Sequence, residues 1–467
     1  MDQLVSSPVA AAAGRRTAGS GTLIASLVLA VVACQLCISM PTPALPDIAD
    51  RLSVSTAAVG FAQALFFLLG GLLSVVVSAY SDHSDSRRLM TWALVVMCIG
   101  SAVVTAAPGF GVFVVGRLLQ SASAVVFPVA LRVMRQKLSA REFGRAMGLI
   151  TAANGGIVGL DGLLSGRLTD AFGFRAVFAV MTVFGVATVF AVRTLVPSFA
   201  GTATGRMDWA GVLTLSAGLG AVELGIGAAG RAGPVAVVSL LVLGAVLFAA
   251  FCLLEKRSAH PLIPVAYLRS RRTWPVLLTS VLTTAGLLGV VNYVVPMLSQ
   301  HHGSGFGMTA TVSALLFIVP MCLVNVVFAP VAGSLAPRVG WRRMLRYALL
   351  FSVPALMVLA VGIRSRWLVF AMVLVIGFGL AGALTPLNGL SALLAPQDSP
   401  TVLPGVNSAC YGVGSSLGIA MSSSLIGGKS TAGFQSAVWA AAGAVALAFL
   451  VSLLIAGNGD GREGRTR

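Results

Sequence analysis

The chain is 467 residues long, 57% hydrophobic and only 10% charged, with a mean hydropathy of +0.95. A soluble domain cannot bury that much apolar surface, and an outer-membrane barrel would read as short alternating segments instead of long apolar runs. The net charge of +17 does not mark a nucleic-acid binder, because the Lys and Arg recur in clusters between alternate apolar runs, as they do in cytoplasmic loops of membrane proteins.

In chain order, residues 1–20 are small and polar, and are expected to form a disordered cytoplasmic N-terminus. Arg15-Arg16 ahead of an apolar run imitates a signal peptide, but the run from Gly21 is longer than a signal core and reads as an uncleaved first span. Fourteen runs are long enough to cross a bilayer as helices: 21–43, 55–80, 89–107, 109–133, 145–166, 175–197, 209–229, 233–254, 274–298, 309–336, 345–363, 367–394, 404–427 and 432–456. An even number puts both termini on one side. Loops on that side hold 23 of the 31 Lys and Arg, the opposite side holds 7, and Arg117 lies within a span. That bias makes both termini cytoplasmic.

A weak repeat divides the chain. A basic loop follows span two (78–88) and another follows span ten (333–343). Pro128 in span four has a counterpart in Pro386 of span twelve. A Gly-rich span follows each, around Asn154-Gly155-Gly156 and around Tyr411-Gly412-Val413-Gly414. The predicted architecture is all-α and integral to the membrane. Two pseudo-symmetric six-helix bundles, 21–197 and 273–456, flank an extra hairpin and cytoplasmic linker at 198–272, with a cytoplasmic tail at 457–467. Two repeated halves with a site between them are a common transporter plan.

Several segments carry a more specific signal. The loop after span two reads Ser78-Ala-Tyr-Ser-Asp82-His-Ser-Asp-Ser-Arg87-Arg88. Its copy after span ten is Gly333-Ser-Leu-Ala-Pro-Arg338-Val-Gly340-Trp-Arg342. Span four contains Arg117-Leu-Leu-Gln120-Ser121. Span five ends in Asp161-Gly162-Leu-Leu-Ser165-Gly166, followed by Asp170-Ala-Phe-Gly-Phe-Arg175. Over nearly its whole length the chain resembles the major facilitator superfamily, in its fourteen-helix drug:proton antiporter branch. The branch often carries an Asp nine residues before Pro46, where this chain has Cys37. The resemblance implies a gating role for Asp82, Arg87, Arg88, Arg338 and Arg342. It also makes the glycines of span five (Gly155, Gly156, Gly159, Gly162 and Gly166) the packing face of an antiporter helix.

An ionisable group inside a span is costly and marks a candidate site. Arg117 is expected ~12 Å below the outer end of span four and Asp161 ~9 Å below that of span five, at helical rise. Antiparallel neighbours at matching depth would pair, either as a proton-coupling carboxylate beside a guanidinium or as a structural lock between helices. Asp161 takes the place of a motif Gly, so it can supply the acid missing at Cys37. Glu223 in span seven is a further candidate acid, although its hairpin is peripheral. Asp47 reads as interfacial. Gln120, Asn154, Asn292, Tyr293, Asn325 and Asn388 are polar groups in apolar spans; they can line a substrate cavity or bond between helices.

Other signals are weak. The six cysteines all fall in apolar runs and read as small buried residues. Gly427-Gly428-Lys429-Ser430 lacks the first Gly of a phosphate loop, and His301-His302 is an isolated pair. No cofactor, metal or nucleic acid is expected, and the chain does not read as an enzyme. The reading is a monomeric secondary exporter in a bacterial plasma membrane, exchanging protons for an amphipathic drug-like compound or antibiotic by alternating access. The alternatives are a carrier for a specific natural product or metabolite, or a non-transporting sensor or scaffold.

Overall fold

A computed structural model describes residues 20–80, 84–198, 209–228, 233–258, 270–394, 402–427 and 430–455. Helices α1 (Ser20–Ser39), α2 (Pro41–Arg51), α3 (Thr56–Tyr80) and α4 (Ser86–Thr105) come first. They are followed by α5 (Phe110–Gln120), α6 (Val126–Lys137), α7 (Ala140–Phe172) and α8 (Phe174–Leu195). Helices α9 (Trp209–Ala228) and α10 (Pro234–Arg257) form a hairpin. The chain continues with α11 (Trp274–Gly289), α12 (Val295–Gln300), α13 (Ala310–Ser313), α14 (Val319–Val339), α15 (Trp341–Val361), α16 (Arg366–Leu393), α17 (Val402–Ile426) and α18 (Thr431–Leu453).

Among the described residues, 12 helical segments are long and apolar enough to cross a membrane. Two of the fourteen spans expected from sequence are not among them. The 33-residue α7 breaks its apolar run with Asn154, Asp161 and Arg167, and the apolar part of α9 is the shorter stretch Trp209–Val222.

The helices pack in a repeated pattern. In the N-terminal group, α1 packs on α7 and α8, and α4 on α8 and α5. In the C-terminal group, α11 packs on α17 and α18, and α15 on α18 and α16. The groups meet along two seams, α3 against α17 and α7 against α14. These seams exchange under the same pairing of second with second and fifth with fifth helix, so the two groups are related by a pseudo-two-fold axis. The α9–α10 hairpin leans on α3 and α17.

Prolines account for the irregular stretches. A Pro ring displaces the carbonyl four residues earlier and leaves it without its helical donor. Pro128 follows a 3₁₀ stretch at Ser121–Val125, Pro296 a π stretch at Val290–Val294, and Pro320 a π stretch at Ala314–Ile318. In each case residue i−4 (Ala124, Asn292 or Leu316) lies inside the deviating turn, where the hydrogen-bond register is free to slip.

Both seams need a missing side chain. A Cβ on Gly412 of α17 would lie 2.7 Å from the Cα of Gly71 and 2.8 Å from the carbonyl oxygen of Phe67 in α3. A Cβ on Gly166 of α7 would lie 2.8 Å from the carbonyl oxygen of Ala310. These neighbours are backbone and cannot rotate away. Gly443 of α18, by contrast, has open space where a Cβ would stand. Gly412→Ala is therefore expected to cost about 1–3 kcal/mol, the usual range for overpacking. Gly443→Ala should be neutral or slightly stabilising, and thermal melting of the two purified variants checks the contrast.

Candidate functional site

Arg117 sits in the last turn of α5, 1% exposed. Its Nη1 donates to Gln120 Oε1 at 2.7 Å and reaches the Cys37 carbonyl of α1 at 3.4 Å, while Nη2 donates to Gln63 Oε1 of α3 at 2.5 Å. The guanidinium also lies over the ring of Phe66, 4.1 Å from its centroid, a favourable cation–π position. Gln120 Nε2 donates to Ser101 Oγ of α4 at 2.8 Å. A buried charge persists only when its hydrogen-bonding capacity is met. Here three helices, α1, α3 and α5, meet it with amide, carbonyl and aromatic groups and no carboxylate, and α4 supports Gln120 in turn.

Asp161 of α7 is 4% exposed. Its Oδ2 accepts a hydrogen bond from Ser39 Oγ of α1, and its Oδ1 is buried with no hydrogen-bond partner. The neighbouring Gly159 and Gly162 turn to α14 and the π stretch before it, where Cβ atoms would meet Cys322 at 3.5 Å and Ile318 at 3.1 Å. Asp161 thus lies on the helix that forms one seam between the groups.

The expected ion pair between Arg117 and Asp161 is corrected by this arrangement. The two residues are held from either side of α1, through the Cys37 carbonyl and the Ser39 hydroxyl two residues on. Helix α1 packs against both α6 and α7 and stands between the side chains.

Hydrogen bonds cross between the groups at the end of the bundle where residues 43, 56, 170, 300 and 310 lie. Asp170 accepts from the backbone N–H of Ala310 and Thr311, each at 2.9 Å, and so caps the N-terminus of the helix beginning at Ala310, a favourable place for a carboxylate. Tyr293 Oη donates to the Thr56 carbonyl at 2.6 Å, and Gln300 Nε2 to the Pro43 carbonyl at 3.0 Å. Within the N-terminal group, Asp47 accepts from the Phe174 N–H at 2.8 Å and pairs with Arg51 at 2.9 Å.

The remaining sequence candidates divide. Gln120 and Tyr293 are buried, each held by hydrogen bonds to protein. Asn292 and Asn325 are half-buried, and Asn388 is exposed. Arg87 and Arg88 open α4, where Asp85 caps their backbone N–H groups at 2.8 and 3.3 Å. Arg338 ends α14 and Arg342 begins α15. Asp82 lies outside the described residues, as do the side chains of Asn154, Gly155, Gly156 and Glu223. The sequence reading passed over Gln63, Ser39 and Ser101, although a Gln in an apolar span is as strong a signal at 63 as at 120. It also passed over the partners of Asn388 in the C-terminal group: Ser280 donates to Asn407 at 2.6 Å, and Asn407 and Tyr411 donate to Asn388 at 3.2 and 3.0 Å.

The profile described as Major Facilitator Superfamily matches residues 27–419. The chain belongs to the major facilitator superfamily. Among relatives within it, a uridine/deoxyuridine transporter of Lactococcus lactis subsp. cremoris is 31% identical over 406 residues, with 85% of each chain covered. The multidrug resistance protein Stp of Mycobacterium tuberculosis is 24% identical, covering 82% of this chain and 71% of that one. The POT family transporter PepTSo shares the fold with a TM-score of 0.68 at 14% identity, covering 93% of this chain and 97% of that one. The protein is thus a multi-pass membrane transporter of this superfamily.

Two outcomes follow from the geometry. Gln63→Leu strips an acceptor from a buried guanidinium and is expected to cost about 1.5–3 kcal/mol, the range for hydrogen bonds to charged groups, read as a lowered melting temperature. Tyr293→Phe removes one bond that closes the two groups together. It should shift the conformational equilibrium about 2- to 12-fold away from this arrangement, equivalent to one ordinary hydrogen bond, measured as a longer distance between spin labels at Asp50 and His302.

Proposed function

We propose that the protein is a proton-coupled secondary transporter that moves a small organic solute by rocking one helix group against the other, with Asp161 as the carboxylate that takes up and releases the proton. The observation that carries this reading is a buried carboxylate with one oxygen unpartnered, on a helix that forms a seam between the groups. A carboxylate in that position is held either by protonation or by exposure to water. A rearrangement of α7 against α14 would change which of these applies. Arg117, across α1 from it, serves as the fixed positive charge of the N-terminal group.

In this reading α7 and α9 also cross the membrane, giving fourteen spans with both termini cytoplasmic, in keeping with the Lys and Arg bias. The protein works as a monomer in a bacterial plasma membrane and is not an enzyme. Exchange of protons for amphipathic drug-like compounds is supported by the motif resemblance and by the relative Stp. A nucleoside substrate is the second reading. It is favoured by the uridine/deoxyuridine transporter, which is more similar and is covered over more of its length.

Proteoliposomes with an imposed proton gradient separate these possibilities, using radiolabelled uridine in one set and a lipophilic cationic dye in the other. Asp161→Asn is expected to cut gradient-driven movement by roughly 5- to 150-fold, the ordinary range of coupling between two ligands, while solute exchange without a gradient continues. A variant that still concentrates solute as the wild type does would remove Asp161 from the coupling role. The solute that moves in the wild type decides between the two substrates.

A further inference from the structure

Helices α15 and α18 lie side by side, and between them runs a groove of about 460 Å³. Its lining side chains are all apolar, with Leu350, Phe351 and Pro354 on α15 and Ala446, Phe449 and Leu450 on α18. Leu350, Phe351 and Leu450 are exposed, so the groove opens away from the bundle, on the side turned to lipid. The two helices leave it unfilled, and its walls lack the contacts that an occupant would supply.

One end of the groove is basic. Arg346 precedes Leu350 by four residues and Pro354 by eight, which places the three on one face of α15. It stands ~6 Å nearer the start of the helix than Leu350, where the basic loop 333–343 leads in. Arg346 Nε and Nη2 donate to the Ser452 carbonyl at 3.4 and 3.2 Å, and Nη2 reaches the Leu453 carbonyl at 3.4 Å. Both carbonyls belong to the last turn of α18, where helical donors run out and a cation is favoured. This capping holds the guanidinium by two of its three nitrogens. The third, Nη1, has no protein acceptor among the described residues. Arg343, which is exposed, stands about one turn earlier on the same side of α15. Neither α15 nor α18 contains an Asp or Glu.

We propose that the groove and Arg346 form a binding site for one anionic phospholipid, with an acyl chain lying between α15 and α18 and the phosphate on the Nη1 edge of Arg346, beside Arg343. Two features of different kinds point to this occupant. An apolar groove open to the bilayer takes a hydrocarbon chain, and a guanidinium held at its end with one edge unused takes a phosphate. A basic pocket between helices at the membrane surface is a favourable place for such a headgroup. The charge also selects among lipids: a zwitterionic headgroup would bring its own cation toward Arg343 and Arg346, a repulsion that an anionic one avoids. The inference does not depend on which solute the protein carries.

The test is photo-crosslinking of the full-length protein in nanodiscs of phosphatidylcholine with about one-tenth phosphatidylglycerol as the anionic probe. p-Benzoylphenylalanine replaces Phe351 in the groove or Leu243 on α10, an exposed control position. Mass spectrometry reads the ratio of phosphatidylglycerol to phosphatidylcholine attached at each position. The ratio at Phe351 is expected to exceed that at Leu243 about ten-fold or more, equivalent to one hydrogen bond to a charged group. Arg346→Gln should bring it down to the control level. A role confined to capping α18 would change total attachment at Phe351 without changing the ratio. Melting checks that the variant is folded, and the comparison of the two positions needs no change at Arg346. Equal ratios at the two positions mean ordinary boundary lipid and overturn the proposal, as does a preference that survives in folded Arg346→Gln. Attachment to a second copy of the chain instead of lipid also overturns it, and makes the groove a contact between copies.

Discussion

A guanidinium buried to 1% exposure without a carboxylate sets the terms for the N-terminal group. Charge in an apolar interior is tolerated only when each donor finds an oxygen. The oxygens near Arg117 come from α1, α3 and its own helix, and Gln120 is in turn steadied by Ser101 of α4. Each of these helices is therefore held at a fixed rotation about its own axis, because a turn of one residue, about 100°, would carry its polar group away. Apolar packing alone cannot impose that precision. Helices α1 and α3 are hydrophobic nearly all round, and lipid is as apolar as their side chains.

The same constraint explains how the two groups meet. With little hydrophobic force to press helices together in a membrane, close approach and hydrogen bonding carry the association. Gly71, Gly166 and Gly412 let backbones nearly touch along the seams, while Asp170, Tyr293 and Gln300 bond across one end. Those latches fasten onto backbone groups at helix starts or beside irregular turns. The proline-induced π stretches at Val290–Val294 and Ala314–Ile318 lie in the same region. A seam made of glycine contacts and a few end-latches can come apart at modest cost, unlike a core of interlocking side chains.

Much of this was legible in the sequence, and the reasons are physical. Apolar runs report helices directly, because every backbone polar group in lipid must be satisfied within its own segment. Gly-rich spans report close packing, and Pro reports a break. Position along a helix can be counted, since helical rise is constant. Rotation about the helix axis and the order of helices around the bundle cannot, so Arg117 and Asp161 were matched in depth and wrongly joined. Asp85, three residues from the motif position Asp82, caps α4 because only it precedes the first helical turn. The amide cluster of Ser280, Asn388, Asn407 and Tyr411 draws on three helices that are distant in sequence, and no single span announces it.

Helix α1 ties these features together. Its Cys37 carbonyl faces Arg117 and its Ser39 hydroxyl faces Asp161, within one turn. Ser39 has a single proton, and both Asp161 and the Gln35 carbonyl lie in reach of it. An ionised Asp161 claims that proton strongly, since hydrogen bonds to a charged acceptor are about twice as strong as neutral ones. A protonated Asp161 claims it weakly and leaves Ser39 to its own helix. The charge on one carboxylate thus changes how tightly α1 is tied to α7, the helix that forms the seam with α14. Arg117 on the other flank ties the same helix to α3 and α5, so α1 carries the contacts of both buried charged side chains.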